Sequence, residues 1–367
     1  MELSEIIIDK IKNEGPISFQ QFMEMCLYYP DLGYYTSNRN QIGKEGDFYT
    51  SACLTPVFGA MIGRQLEEMW YLLGEEAPFT IVEYGAGTGI LCQDILSSLQ
   101  SNKKMYDQVR YCIIEKSPAM QAIERNRLHQ NVNWYNSIEE LSGFNGCVLS
   151  NELIDNFSVH EVLMEKELME VFVDYHDGFV EVLRPATQDL KDYIAEQGVE
   201  LPEGFRTEIN LQAINWIGEV AGALNRGFVL TIDYGYPASD LYKKSRSGGT
   251  LMCYRKHTVN SSVYENIGSQ DITSHVNFSA LSHWGAKSGL TTCGFTDQCH
   301  FLLSLGFSEY LNQAVSYEKD VAMAAKKAAI ISHTLLMDMG RKFKVLIQEK
   351  GICEKRLAGL VSLSYVL

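Results

Sequence analysis

Residues Thr80 to Leu91 read TIVEYGAGTGIL. An apolar run closes on an acid, Glu83, and glycines follow at alternate positions, Gly85, Gly87 and Gly89. Where a strand feeds a helix through a tight turn, glycines reach backbone angles that other residues resist, and they let the main chain touch a ligand. A dinucleotide site uses G-x-G-x-x-G, with the pyrophosphate seated on the helix N-terminus. Ile90 stands where the third glycine of that pattern belongs, and a carboxylate at Glu83 would repel a pyrophosphate. Glu115 ends the next apolar run, YCIIE, where doubly wound folds place an acid that accepts hydrogen bonds from ribose hydroxyls. The alternative is a purely structural turn whose glycines serve packing.

The elements that must carry these residues alternate along the chain. Residues 3–12 and 18–28 are spaced as amphipathic helices on either side of Gly15-Pro16, and a helical pattern covers 56–73. The runs 79–84, 109–115, 132–135 and 146–153 are short and apolar enough for buried strands, with helices at 90–100 and from Pro118. Residues 159–173 and 178–183 alternate across Asp177-Gly178, as a hairpin at the sheet edge or as an insertion. Residues 187–197 and 206–225 read as helices, 227–235 as a strand, 277–288 as a helix, 290–294 as a strand and FKVLIQ as a late strand. Strand and helix in short steps predict an α/β fold with a doubly wound, mostly parallel sheet. An N-terminal helical cover is expected over 1–75, and a core over 76–367 with a helical insertion at about 185–225.

Composition narrows the classes of function. The chain has 367 residues, 46 % hydrophobic and 21 % charged, an ordinary balance for a globular protein. Its net charge of −15 is spread along the chain, which disfavours nucleic acid and anionic membrane as partners and tolerates basic ones. No apolar stretch approaches the roughly 20 residues that span a bilayer. Residues 1–15 carry acids and no apolar block, so neither secretion nor mitochondrial targeting is expected and a cytoplasmic location is. The nine cysteines are scattered without a C-x-x-C pair, and no metal site is expected.

The pattern E-x-G-x-G-x-G, from Glu83 to Gly89, is similar to that of class I S-adenosyl-L-methionine (SAM) methyltransferases. Nearly the whole chain resembles the MidA family of SAM-dependent protein-arginine methyltransferases, as a bacterial-type member. The resemblance rests on YYPDLGYY (28–35), GDFYTSACLTPVFG (46–59), VEYGAGTG, SNELIDNFSVH (150–160), DYGYP (233–237), GTLMCYRKH (250–257) and DITSHVNF (271–278). Two departures stand out: Ser51-Ala52-Cys53 replaces an Ala-Pro-Glu-like step, and Asn277 stands where the family usually has Asp.

The resemblance implies a class I, Rossmann-like methyltransferase sheet, SAM as cofactor and an arginine of a protein as acceptor. It implies that Glu83, Gly85, Gly87, Gly89, Glu115 and Asn151 belong to the cofactor site. The stretch 45–51 would close over the methionine end of SAM, with Asp47 or Thr50 near its polar groups; a helix cap before Pro56 is the alternative. A guanidinium arrives charged, and paired carboxylates hold its plane through bidentate contacts. Glu152 and Asp155, three apart after the fourth strand, would share one side of a helical turn and suit that task. They could instead favour a helix dipole behind a capping Asn151. His275 would line the acceptor channel or be satisfied in the core. Asp233 would hold loop backbone or contact substrate, and Tyr28, Tyr29, Tyr34 and Tyr35 would pack. Within enzymes, the other reading is methylation of a small molecule or another side chain. Outside them, it is a non-catalytic SAM-binding assembly factor. An oligomer is possible on either reading.

Overall fold

The run FTIVEY becomes strand β1 (Phe79–Tyr84), buried at five consecutive positions, as a central parallel strand covered on both faces must be. The computed structural model describes residues 1–37, 50–128, 131–316, 320–352 and 356–361. The chain divides into two compact units. One comprises 1–48, 154–216 and 236–281; the other comprises 49–153, 217–235 and 282–367.

The second unit carries the large sheet. After β1 come β2 (Val109–Ile114), β3 (Val132–Tyr135), β4 (Phe144–Asn151), β5 (Leu224–Tyr236), β6 (Thr291–Asp297) and β7 (Phe343–Lys350). Their spatial order is β3-β2-β1-β4-β5-β7-β6. The pairs from β3 to β5 are parallel, and β7 runs antiparallel to both β5 and β6. The chain steps outward from β1 to β3 and returns to β4 on the other side of β1. Their carboxyl ends therefore flank the switch point where such folds bind ligands, and Tyr84 lies beside Ser150 there.

Helix Pro56–Leu72 packs along helix Ile90–Leu99 in this unit. Pro56 is preorganised for the first turn, and Thr55 accepts the Val57 amide at 3.3 Å. The helices approach closely because of glycine: a Cβ on Gly59 would sit 2.5 Å from Asp94 Cβ. This contact places 56–72 with the sheet, so the boundary expected at residue 75 does not coincide with a unit boundary. The core combines Phe58, Ile62, Leu66 and Trp70 of that helix with Ile81, Ile113, Leu149, Leu230 and Ile347 of the strands.

The first unit holds helices Leu3–Glu14 and Phe19–Tyr28, whose buried residues recur at helical spacing: Leu3, Ile7, Ile11, then Phe19, Phe22, Met23 and Cys26. They share a core with Val171 and Val173 of an antiparallel sheet built from Ile17–Ser18, His160–Met164, Leu168–Tyr175, Phe179–Pro185 and Arg206–Ile209. Two expectations are corrected here. The run 159–173 is two strands, because Glu165, Lys166 and Glu167 are exposed and form a turn between them. Residues 206–225 are not one helix: Arg206–Ile209 pairs with residues 160–163, and the helix Leu211–Ala223 starts only after Asn210, whose Oδ1 accepts the Ala213 amide at 2.8 Å. The expected insertion at 185–225 is thus helix Gln188–Glu196, a strand, and a second helix. The turn at Asp177, with φ +56°, is where the sequence put it.

Candidate functional site

The turn from β1 into helix Ile90–Leu99 carries three glycines in the left-handed region, Gly85 at φ +61°, Gly87 at +57° and Gly89 at +73°. Packing limits two of them further. A Cβ on Gly85 would meet Leu153 Cδ1 at 2.9 Å, and one on Gly89 would meet Leu128 Cδ1 at 3.1 Å. Alternate glycines here follow from backbone conformation, and the main chain is left bare at the end of β1.

Three carboxyls surround this turn. Glu83, on β1, is buried and accepts the Tyr111 hydroxyl at 2.7 Å; burial pushes it up to about 7. Glu115, just past β2, is half-buried and accepts the Ser117 amide at 2.7 Å; burial pushes it up to about 6. Glu124, on helix Pro118–Arg127, is fully buried and accepts the Trp134 indole N–H at 2.7 Å. Burial raises Glu124 most and the charges of Glu115 and Glu83 add to it, to about 8. Nothing in the sequence singled out Glu124, since MQAIERNR reads as a solvated helix face.

A second group forms where β4 and β5 end. Glu152 takes a left-handed conformation, φ +54°, and its amide donates to Ile232 O at 2.9 Å. Its Oε1 accepts the Ser51 amide at 2.8 Å and Asn151 Nδ2 at 3.3 Å. Burial pushes Glu152 up to about 8, and the charge of Asp233 adds to the shift. Asp233 is buried and braces the loops on both sides, accepting from the Leu153 amide at 3.2 Å and the Tyr234 amide at 2.9 Å. Its role as a holder of loop backbone is therefore direct. The Ser51 contact had no sequence signal.

The expected pairing of Glu152 with Asp155 through one helical turn does not form. The left-handed Glu152 breaks the turn, and the 3₁₀ segment Ile154–Asn156 begins after it. Glu152 belongs to the sheet-bearing unit and Asp155 to the other. In that unit Asp155 is buried, its Oδ1 accepts from Asn156 Nδ2 at 3.1 Å, and its carbonyl accepts the Ser274 amide at 3.0 Å. His275 lies there too: its amide donates to Thr250 Oγ1 at 3.0 Å, and its ring is 5.3 Å from that of Tyr236. Burial, then the nearby Arg246, lowers His275 to about 4, so it is neutral at pH 7. Tyr28 and Tyr35 stack at 5.7 Å and donate to the carbonyl and the Oδ1 of Asn156. Thr50 precedes helix Ser51–Leu54 and donates to Cys53 Sγ at 3.2 Å; Asp47 lies outside the described residues.

A family model described as "Putative S-adenosyl-L-methionine-dependent methyltransferase" matches residues 61–296. The chain belongs to this family. A crystal structure of a COG1565 superfamily member from Burkholderia thailandensis, bound to S-adenosyl-homocysteine, is similar to this methyltransferase with a TM-score of 0.88 and 30 % identity, covering 99 % of this chain and 95 % of that one. The Drosophila melanogaster protein "Protein arginine methyltransferase NDUFAF7 homolog, mitochondrial" is 27 % identical across 95 % of this chain and 85 % of its own. Its Bos taurus counterpart is also 27 % identical, across 93 % and 81 %. The strand order and glycine turn are those of a class I methyltransferase, and the family's cofactor is SAM.

The methyltransferase's own residues fit that cofactor. Three carboxyls around the glycine turn, all raised by burial, suit a ligand carrying a sulfonium and an ammonium, whose positive charge would favour their ionised forms. Glu124 Oε1 and Asn151 Oδ1, one beside the turn and one at the end of β4, are buried with no hydrogen-bond partner among the described residues. Such acceptors call for a donor from a ligand or water. Glu115, Asn151 and the bare turn 85–89 are the groups that would hold the cofactor. Glu83 is committed to Tyr111 and would act through charge and by anchoring the turn. Among the described residues, no helix is long and apolar enough to cross a membrane.

Proposed function

We propose that this methyltransferase acts on an arginine side chain of a protein. The observation that carries the reading is the Glu152–Asp233 pair at the ends of β4 and β5. Glu152 Oε1 is fixed by the Ser51 and Asn151 donors, while Oε2 makes no hydrogen bond among the described residues. A carboxylate pinned by one oxygen and open at the other is oriented to receive a planar donor. Its pKa of about 8 is raised by burial and a neighbouring acid. A guanidinium is the partner that reverses both effects, because it stays charged and fills the fork. The relatives named as protein arginine methyltransferases support the same acceptor.

Bound SAM supplies a methyl already activated by its sulfonium, so the protein's task is alignment and exclusion of water. Glu152 would draw the guanidinium's charge away from the attacking nitrogen and hold its plane. The nitrogen that gains the methyl gives up one proton, and Glu152 Oε2 would take it before release to solvent. Asp155 and His275 remain candidates for acceptor contacts: Asp155 as a second acid, His275 as a neutral channel residue. Asp47 and Thr50 remain candidates for the methionine end of SAM.

The test is transfer of labelled methyl from SAM into the proteome of parent cells lacking this protein, followed by mapping of the modified residue. Label on arginine is the expected result. Label confined to small molecules or to another side chain would favour the other catalytic reading, and no transfer despite SAM binding would favour the assembly factor.

A further inference from the structure

The sheet-bearing unit has a concavity of about 250 Å³ lined by neither Glu152 nor the glycines of the turn. It lies between residues 52–56 and the outer side of helix Ile90–Leu99, lined by Cys53, Thr55, Pro56, Gln93, Asp94 and Ser97 among others. Apolar contact comes from Ala52, Leu54, Pro56 and Ile90. Asp94 is half-buried in it, and its carboxylate makes no hydrogen bond or ion pair among the described residues. Its Cβ is held by the close approach of Gly59. Burial pushes the carboxyl up to about 6, against the weaker influence of Arg127, whose guanidinium turns to Gln93 Oε1 at 3.4 Å. A half-buried acid that makes no hydrogen bond or ion pair among the described residues, lining a concavity with an apolar wall, is complementary to one long basic side chain: the stem packs on the wall and the head meets the acid.

From this geometry we infer that the concavity docks one basic side chain of the protein substrate, with Asp94 as its counter-charge. It rests on the proposed function only for the identity of the partner, an arginine-bearing protein. Ser51 ties the two places together: its amide fixes Glu152, and the residues that follow it form the near wall of the cup. A basic residue near the acceptor arginine would engage the cup and steer the segment toward the site. The chain's net charge of −15 favours the approach of such a segment.

The test is titration of the full chain, in the presence of S-adenosyl-homocysteine, with N-acetyl-arginine amide and with its uncharged isostere N-acetyl-citrulline amide. Backbone amide resonances report the site. The arginine compound is expected to shift Thr55, Gln93, Asp94 and Ser97, and the citrulline compound is not. Asp94→Asn should weaken that binding by roughly two- to fivefold, the range for a partly exposed charge pair. Ser97→Lys, which puts a competing cation on the rim, should do the same, and both variants should bind S-adenosyl-homocysteine as the parent does. Equal shifts by both compounds, or full binding by Asp94→Asn, would overturn the inference. Shifts confined to 151–153 would also overturn it while leaving the proposed acceptor intact. Shifts at 53–97 in a protein that labels no arginine would uphold the cation site and sink the acceptor reading instead.

Discussion

Ser51 and Glu152, 101 positions apart, are joined by a 2.8 Å hydrogen bond in which the Ser51 amide donates to Glu152 Oε1. The bond ties the entry to helix Ser51–Leu54 to the end of β4 and leaves one glutamate oxygen open. Ser51 is the first residue of that helix, where proline is tolerated and the amide N–H is lost. Ser51→Pro is therefore expected to retain cofactor binding and to lower methyl transfer. A hydrogen bond to a charged group contributes roughly 1.5–3 kcal/mol, so the rate should fall by about ten- to a hundredfold. Ser51→Ala, which keeps the amide, is the control, and equal activity in the two variants would show that the bond has no part in transfer.

The glycine turn gives a second prediction. Gly87 has φ +57°, a conformation strained for any β-branched residue, and its neighbours on both sides are left-handed as well. Gly87→Val is expected to abolish detectable binding of SAM and S-adenosyl-homocysteine by calorimetry. The parent is expected to bind both and not NADH, since Ile90 stands where a dinucleotide site has its third glycine. A Gly87→Val variant with parental affinity would remove the turn from the cofactor site.

Glu124 predicts a pH dependence of stability. Its folded pKa, about 8, lies above the usual 4.5 of an exposed glutamate, so the folded state holds a proton that the unfolded state releases. The stabilisation is complete below pH 4.5 and is lost as pH rises toward 8, with a slope of up to about 1.4 kcal/mol per pH unit for one group. Melting of the cofactor-free protein should therefore fall between pH 5 and about 8. Glu124→Gln keeps the Trp134 acceptor and should flatten that fall. An unchanged slope in the variant would mean that Glu124 is ionised in the folded protein.

Much of the framework was legible before any coordinates. Strand Phe79–Tyr84 begins and ends where its apolar run does, because a central parallel strand has no solvated face to blur it. Gly85, Gly87 and Gly89 were legible because only glycine takes three left-handed positions so cheaply. Where a strand is short and its buried residues are polar, as Thr207 and Glu208 are, periodicity failed. Arg206–Ile209 merged into the helix behind it, and only the cap at Asn210 marks the break. The candidate site at the end of β4 was legible in composition and not in geometry. Acids at the end of β4 pointed to a cation, but nothing announced that Glu152 would be left-handed, so that no helical turn runs from it to Asp155. Contacts such as Ser51 with Glu152 and Trp134 with Glu124 are made by the tertiary fold, which local spacing does not encode.

The most direct test of the central claim is single-turnover methyl transfer to an arginine peptide by Glu152→Gln, measured beside its affinity for S-adenosyl-homocysteine. The variant keeps the size of the side chain and its acceptor oxygen, and loses the charge. Loss of a charge-assisted pair in a dry site costs on the order of 2–4 kcal/mol, so transfer should slow by roughly thirty- to a thousandfold with cofactor affinity unchanged. Parental transfer rates in Glu152→Gln, or loss of S-adenosyl-homocysteine binding in place of transfer, would contradict the account.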